Sequence, residues 1–224
     1  MATQLDLQEQ EQLDELKAFW KQYGNLITWV LVAVLAAFAG WNLWNRYQAD
    51  QAGKASALFD QLTRAADAGN ADMAVRAFGD LQSRYPHTAF TEQGGLLAAK
   101  VAYEKGKPDA ARTALTWVAG NATEDEYRTI AHLRLAGLLL DQKQPDEAMK
   151  QLDAADAKGF EPLVADRRGD VLMAQGKKEE AKAAYQAAFK GIDEKQEYRR
   201  LVEAKLTALG AAPAAPAASA GAAQ

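Results

Sequence analysis

The stretches "QKQPDEAMKQLDAA" (142–155) and "QGKKEEAKAAYQAA" (175–188) repeat one pattern at an offset of 33 residues. In each, a turn residue (Lys143, Gly176) is followed by an alanine (Ala148, Ala181) and then by a large side chain (Leu152, Tyr185). The same triplet lies further upstream. It falls on Gly69, Ala74 and Phe78 in "AGNADMAVRAFGDLQSRYP" (68–86), and on Gly106, Ala111 and Leu115 in "KGKPDAARTALTWV" (105–118). The four alanines are 37, 37 and 33 residues apart. Before the last two turns, "HLRLAGLLL" and "VADRRGDVL" place Ala136 and Gly169 at matching positions of a preceding helix.

This arrangement resembles the tetratricopeptide repeat, a helix–turn–helix unit of about 34 residues. Small residues at Ala136/Gly169 and at Ala148/Ala181 let the two helices of a hairpin approach closely. Phe78, Leu115, Leu152 and Tyr185 are expected to fill the space between one hairpin and the next. Pro86 ends its repeat where the motif's proline falls. One hairpin cannot bury its own apolar face, so about four are expected to stack on one continuous core.

Composition agrees. Of 224 residues, 49% are hydrophobic, much of that alanine, and with few β-branched residues the chain favours helix throughout. The expected fold class is all-α. There is no cysteine, which excludes disulfides and thiolate chemistry. The net charge of −4 is uneven: in residues 1–25, Asp6, Glu9, Glu11, Asp14 and Glu15 face only Lys17 and Lys21. No clustered basic face suited to phosphates is present, which argues against nucleic acid as a partner.

Between Gln22 and Asn45 there is no charged residue, and Leu26–Trp44 is almost continuously apolar. As a helix this run spans roughly 28 Å, close to the ~30 Å hydrocarbon core of a bilayer. Trp20, Tyr23 and Trp29 flank one end, and Trp41, Trp44 and Tyr47 the other, as aromatic belts at the two headgroup boundaries. Ala37-Phe38-Ala39 fits a signal-peptide cleavage pattern, but the apolar run continues beyond it and the preceding region is long and acidic. A core helix would show a polar face, and this one shows none. The reading is an uncleaved span over residues 25–45. Basic residues are nearly balanced, with Lys17 and Lys21 before it and Arg46, Lys54 and, at the margin of the counted range, Arg64 after it, so charge leaves its orientation open.

Residues 1–24 form a short amphipathic segment carrying Leu13, Leu16, Trp20 and Tyr23 on one face, with a break expected at Gly24-Asn25. The repeat domain occupies residues 46–209, closed by a helix in "EKQEYRRLVEAKLTAL" (194–209). The Ala/Pro tail, residues 210–224, reads as disordered.

No catalytic, metal or cofactor constellation emerges. His87 and His132 lack ligand spacing, no serine has a nucleophile-elbow context, and Gly94-Gly95, placed before an apolar helix, lacks the lysine of a phosphate loop. No small-molecule substrate is expected. The one charge-dense cluster is "ADRRGD" (165–170). Its Asp166 and Asp170 share a helical face suited to inter-helix ion pairing, and Arg167 and Arg168, pointing away, are the candidate partner contacts.

The order of parts, with the wording "WNLWNRYQAD", "AHLRLAGLLL", "LVADRRGDVL" and "GKKEEAKAAY", resembles the YfgM-like family of Gram-negative inner-membrane proteins. The resemblance implies a single-pass protein with a cytoplasmic N-terminus and a periplasmic repeat domain. It also implies a non-enzymatic role as an ancillary subunit of the SecYEG translocon, beside the periplasmic chaperone PpiD, with inner-membrane lipid around the span. The same architecture would also suit a scaffold for envelope-stress or cell-division proteins. In either role the exposed positions of first helices, around 94–103, 130–140 and 163–173, are the expected binding groove.

Overall fold

The computed structural model describes residues 7–156, 158–193 and 195–211. The opening six residues of the acidic segment, and the tail from residue 212 onward, lie outside the described residues. Among the described residues every regular element is an α-helix: α1 Leu7–Asp67, α2 Ala71–Arg84, α3 Ala89–Glu104, α4 Pro108–Asn121, α5 Asp125–Asp141, α6 Pro145–Asp153, α7 Glu161–Ala174, α8 Lys178–Gly191 and α9 Tyr198–Ala208. The chain divides into two units, Met1–Gln51 and Ala52–Gln224.

In the first unit, α1 carries an apolar window of mean hydropathy 2.0, none of it buried within the protein. That exposure separates it from a core helix: it meets the length and apolarity needed to cross a bilayer and has no protein surface over it. The six flanking aromatics, Trp20, Tyr23, Trp29, Trp41, Trp44 and Tyr47, are all exposed. The break expected at Gly24-Asn25 does not occur, since α1 runs through it. A lone glycine costs a helix only about 1 kcal/mol, and its neighbours outweigh that. The Trp20 indole lies over Gly24, about 3.1 Å from where a β-carbon would sit, and the Thr28 hydroxyl donates to the Gly24 carbonyl at 2.7 Å.

In the second unit, the final part of α1, from Ala52, serves as the first helix of the first hairpin. Ala55, Leu62 and Ala65 are buried there, and the Phe59 ring meets Phe90 of α3 at 5.6 Å. Four hairpins result: the end of α1 with α2, α3 with α4, α5 with α6, and α7 with α8, followed by α9.

The first helix of every hairpin ends in the same way. Gly69, Gly106, Lys143 and Gly176 adopt left-handed backbone, with φ of 63°, 70°, 58° and 77°. In each case the following N–H reaches back to close the helix: Asn70 to Ala65, Lys107 to Ala102, Gln144 to Leu139 and Lys177 to Leu172, at 2.8 to 2.9 Å. This is the glycine-favoured helix stop that satisfies orphan carbonyls, and it explains the recurrent turn residue in the sequence. Of the second helices, α2 starts on Asn70, whose side chain accepts from the Met73 N–H, α4 and α6 on Pro108 and Pro145, which need no N–H there, and α8 on Lys177 with no side-chain cap.

The aligned alanines, Ala74, Ala111, Ala148 and Ala181, are all 0% exposed, as is Ala136. Phe78, Leu115, Leu152 and Tyr185 are buried beside them. The core differs from the single continuous one expected. One apolar cluster joins α1 to α5, with a small satellite of Ala65, Ala71, Ala74 and Val101 beside it; another lies between α5 and α7, and a third between α7 and α9. The backbone of α5 separates the first two, because Leu135 and Leu138 face one side and Ala136 and Leu139 the other. Half-buried Met149 bridges the second and third.

Candidate protein-binding site

First helices α3, α5 and α7 place their exposed positions side by side and line an open groove of about 510 Å³. Lys100, Tyr103 and Glu104 come from α3, Arg134, Gly137 and Asp141 from α5, and Arg167 from α7, over a floor that includes Ala99, Leu115 and Leu138. Helical periodicity explains the selection: Arg134, Gly137 and Asp141 recur at spacings that keep one face.

The polar atoms are organised. The Tyr103 hydroxyl donates to the Asp141 carboxylate at 2.5 Å, and this bond, with the Asp141 charge, raises the phenol's pKa. The Lys100 ammonium lies 3.9 Å from Glu104, and Gln93 donates to the Tyr127 hydroxyl at 2.7 Å. The Arg134 guanidinium donates to the Leu96 backbone carbonyl at 3.0 Å, tying α5 to α3. Although Arg134 is an exposed residue, desolvation of its guanidinium lowers its pKa.

Arg167 and Arg168 part company. Arg167 lines the groove and has its guanidinium beside Gly137, but it does not point away from both aspartates, because it pairs with Asp170 at 3.3 Å. Arg168 turns to α6, pairing with Asp153 at 2.8 Å and touching the Met149 sulfur. The structure therefore brings only Arg167 into the groove.

Asp166 and Asp170 are engaged on the side facing α8 and α9. The Lys205 ammonium donates to both Asp166 oxygens, at 2.9 and 2.8 Å, and to Asp170 at 2.7 Å. The hydroxyls of Tyr198 and Tyr185 donate to Asp166 and Asp170 at 2.6 and 2.8 Å. Burial first, and then these bonds to carboxylates, push both phenols well above the ordinary tyrosine pKa.

Tyr185 packs both ways, sharing a cluster with Val202 and Leu206 of α9 and closing on its own hairpin. Its ring covers Gly169 in its own hairpin, so that a β-carbon there would lie 2.4 Å from it, and Phe78 reaches the next hairpin, onto Gly95. Gly94-Gly95 is inside α3, not before it, and both glycines are packing holes, with Leu81 over one and Val118 and Phe78 over the other.

Among the described residues no group of three or more His, Asp or Glu is placed to hold a metal ion. His132 bonds Gln151 at 2.9 Å, and His87 is exposed in the turn before α3. The basic groove residues left a readable trace: Arg134 and Arg167 stand two positions before Ala136 and Gly169, so one repeat position is arginine twice running.

Together these features define a tetratricopeptide-type helical-repeat protein whose N-terminal helix is apolar and long enough to cross a membrane. The family described as "Tetratricopeptide repeat-like domain" matches residues 17–211, taking in the apolar helix as well as the repeats. A Neisseria gonorrhoeae protein named "Ancillary SecYEG translocon subunit" is 30% identical over 204 residues, 91% of this chain and 98% of its own. Proteins of that name from Escherichia coli K12 and Haemophilus influenzae are each 27% identical, over 81% of this chain and 87% and 89% of theirs. The chain belongs to this family, that of the ancillary SecYEG translocon subunits, also called YfgM-like.

Proposed function

We propose that this protein is a non-enzymatic, single-pass inner-membrane adaptor that associates with the SecYEG translocon. The observation that carries the reading is the near end-to-end similarity to the Neisseria gonorrhoeae translocon subunit, spanning both the apolar helix and the repeats. Residues 25–45 cross the inner membrane in contact with its lipid, residues 1–24 lie in the cytoplasm, and residues 46–209 work in the periplasm. There the repeat domain links the channel to periplasmic chaperones such as PpiD and assists secreted-protein biogenesis through protein–protein contacts. The span confines the domain to the membrane surface and so raises its effective concentration beside a membrane-bound partner.

Site-specific photocrosslinking in native membranes tests association, with channel subunits as the expected products. Protease added to spheroplasts should digest the repeat domain while sparing it in sealed inverted vesicles. Digestion only from the cytoplasmic face would overturn the topology, and failure to trap any channel subunit would overturn the association.

A further inference from the structure

Within the acidic chain, of net charge −4, the groove across α3, α5 and α7 is locally basic. Lys100, Arg134 and Arg167 line it against Glu104, 3.9 Å from Lys100, and Asp141, which accepts from the Tyr103 hydroxyl. Arg134 is the unusual member. Of the four arginines on α5 and α7, Arg128 pairs with Asp125, Arg167 with Asp170 and Arg168 with Asp153. Among the described residues Arg134 has no carboxylate partner, and its one hydrogen bond is to the Leu96 carbonyl. A guanidinium carries five N–H donors in a planar fork suited to a carboxylate, so most donors of this exposed, groove-lining residue have no acceptor within the protein. Arg167 is only part-compensated, because Asp170 also accepts from Lys205 at the shorter distance of 2.7 Å against 3.3 Å.

We propose that this groove binds an acidic peptide segment of a partner protein, with Arg134 as the central carboxylate-binding residue and Lys100 and Arg167 flanking it. The site takes an Asp or Glu side chain on Arg134. The apolar floor of Ala99, Leu115 and Leu138 accepts the intervening small or apolar residues. Its volume falls in the range of about 300–1,000 Å³ usual for ligand sites. The opposite charge of a docked anion offsets the desolvation of the Arg134 guanidinium. This inference rests on the adaptor reading above and adds the chemistry of what the groove holds.

The full chain in nanodiscs, titrated into fluorescein-labelled peptides repeating Ala-Asp-Gly, Ala-Asn-Gly or Ala-Lys-Gly, tests it by fluorescence anisotropy. The Asp peptide should bind, with affinity falling as salt rises, and the other two should not. Arg134→Gln keeps a donor for the Leu96 carbonyl and removes the charge, and it should weaken the Asp peptide by about tenfold or more. Lys100→Glu, an exposed change that disturbs no core packing, should weaken it in the same direction by less. Equal binding of the Asn peptide, no binding of the Asp peptide, or unchanged affinity in Arg134→Gln with helicity intact would each overturn the proposal. Crosslinking of the wild-type chain to SecYEG separates the two readings. If it persists while the Asp peptide fails, only the groove chemistry falls. If it is absent, the adaptor role falls while the peptide titration still decides what the groove binds.

Discussion

The first two hairpins and the last one share a helix–turn–helix plan but are sealed by different chemistry. At the first end, the Phe78 ring fills the hole left by Gly95 and meets Trp117 edge-on at 5.5 Å, in a purely apolar contact. At the last, Tyr185 covers Gly169 with its ring but commits its hydroxyl to Asp170, and Lys205 of α9 joins Asp170 to Asp166. An interior hairpin has a further two-helix hairpin to cover it. The last hairpin has only the 11-residue α9. Apolar contact alone gives so short a helix little directional preference, whereas three hydrogen bonds from one ammonium fix its rotation and register. The arrangement works because the oxygens are satisfied: Asp166, 1% exposed, accepts from Lys205 and Tyr198, and Asp170 from Lys205, Tyr185 and Arg167.

The strongest way to break that contrast is Lys205→Met. It keeps the stem and removes the charge, leaving two carboxylates facing each other in a largely dry site. Deleting one partner of a buried pair costs about 3–5 kcal/mol, so a loss near the lower end is expected because Lys205 is partly exposed. Urea unfolding monitored by circular dichroism measures it. Hydrogen exchange should show α9 losing protection first, with the Phe78 layer untouched. Uniform loss of protection would mean that the two ends are not separately sealed.

A matched pair sharpens the comparison further. Gly95→Ala and Gly169→Ala each place a β-carbon 2.4 Å from a core atom, Val118 Cγ2 in one case and Tyr185 Cε1 in the other. On an open helix either change would gain about 1 kcal/mol from propensity, but overpacking of this kind costs about 1–3 kcal/mol. Both should destabilise. Gly169→Ala should cost more, because moving the Tyr185 ring also pulls its hydroxyl off Asp170. Val118→Ala should recover part of the loss in Gly95→Ala, with no counterpart at Gly169. Equal costs would show that the hydroxyl bond adds nothing.

What was legible in the sequence follows the same line. The turns and the small–large triplets were readable because each is local: a left-handed stop, a close approach and a filler, all within a few residues. The first helix of the first hairpin was hidden because no turn residue separates it from the apolar segment, the whole being one helix, α1. Gly94-Gly95 lay outside the aligned positions, and their role depends on Leu81 and Val118 arriving from other helices. The isolation of Arg134 was invisible for a related reason. Whether an arginine finds a carboxylate is decided by three helices at once, and no spacing along one of them encodes it.

Alkaline pH should open the last hairpin before the first ones. The phenols of Tyr185 and Tyr198 have raised pKa values in the folded protein, through burial first and then through bonds to Asp170 and Asp166. Above the ordinary tyrosine pKa of about 10 the unfolded chain gives up these protons while the folded one retains them. Their stabilising contribution is therefore complete below about pH 10 and declines as pH rises beyond it. Tyr198→Phe should flatten this decline while lowering stability modestly near neutrality, which is measurable as Tm against pH. An unchanged alkaline profile in the variant would detach the tyrosines from the seal.

Between the two ends lies the α5–α6 turn, where Lys143 holds φ of 58° while the other three hairpin turns use glycine. Left-handed backbone costs a non-glycine residue about 1–2 kcal/mol. The Lys143 side chain is exposed, and the hydrogen bonds that close the turn, Lys143 N–H to Leu140 and Gln144 N–H to Leu139, are all backbone. Lys143→Gly should therefore keep every contact and relieve the strain. Glycine's larger unfolded-state entropy takes back about 0.5–1 kcal/mol, leaving a net gain of about 0.5–1 kcal/mol, the smallest effect in this set. Gly176→Lys is the mirror experiment. A β-carbon there meets nothing within 4 Å, so only the φ of 77° opposes it, and a loss of similar size is expected. Because Gly176 belongs to the polar-sealed hairpin and Lys143 to its neighbour, opposite and equal shifts would show that turn strain is set locally. A larger loss at Gly176 would mean that the Asp166–Lys205 network depends on that turn holding α7 and α8 in place.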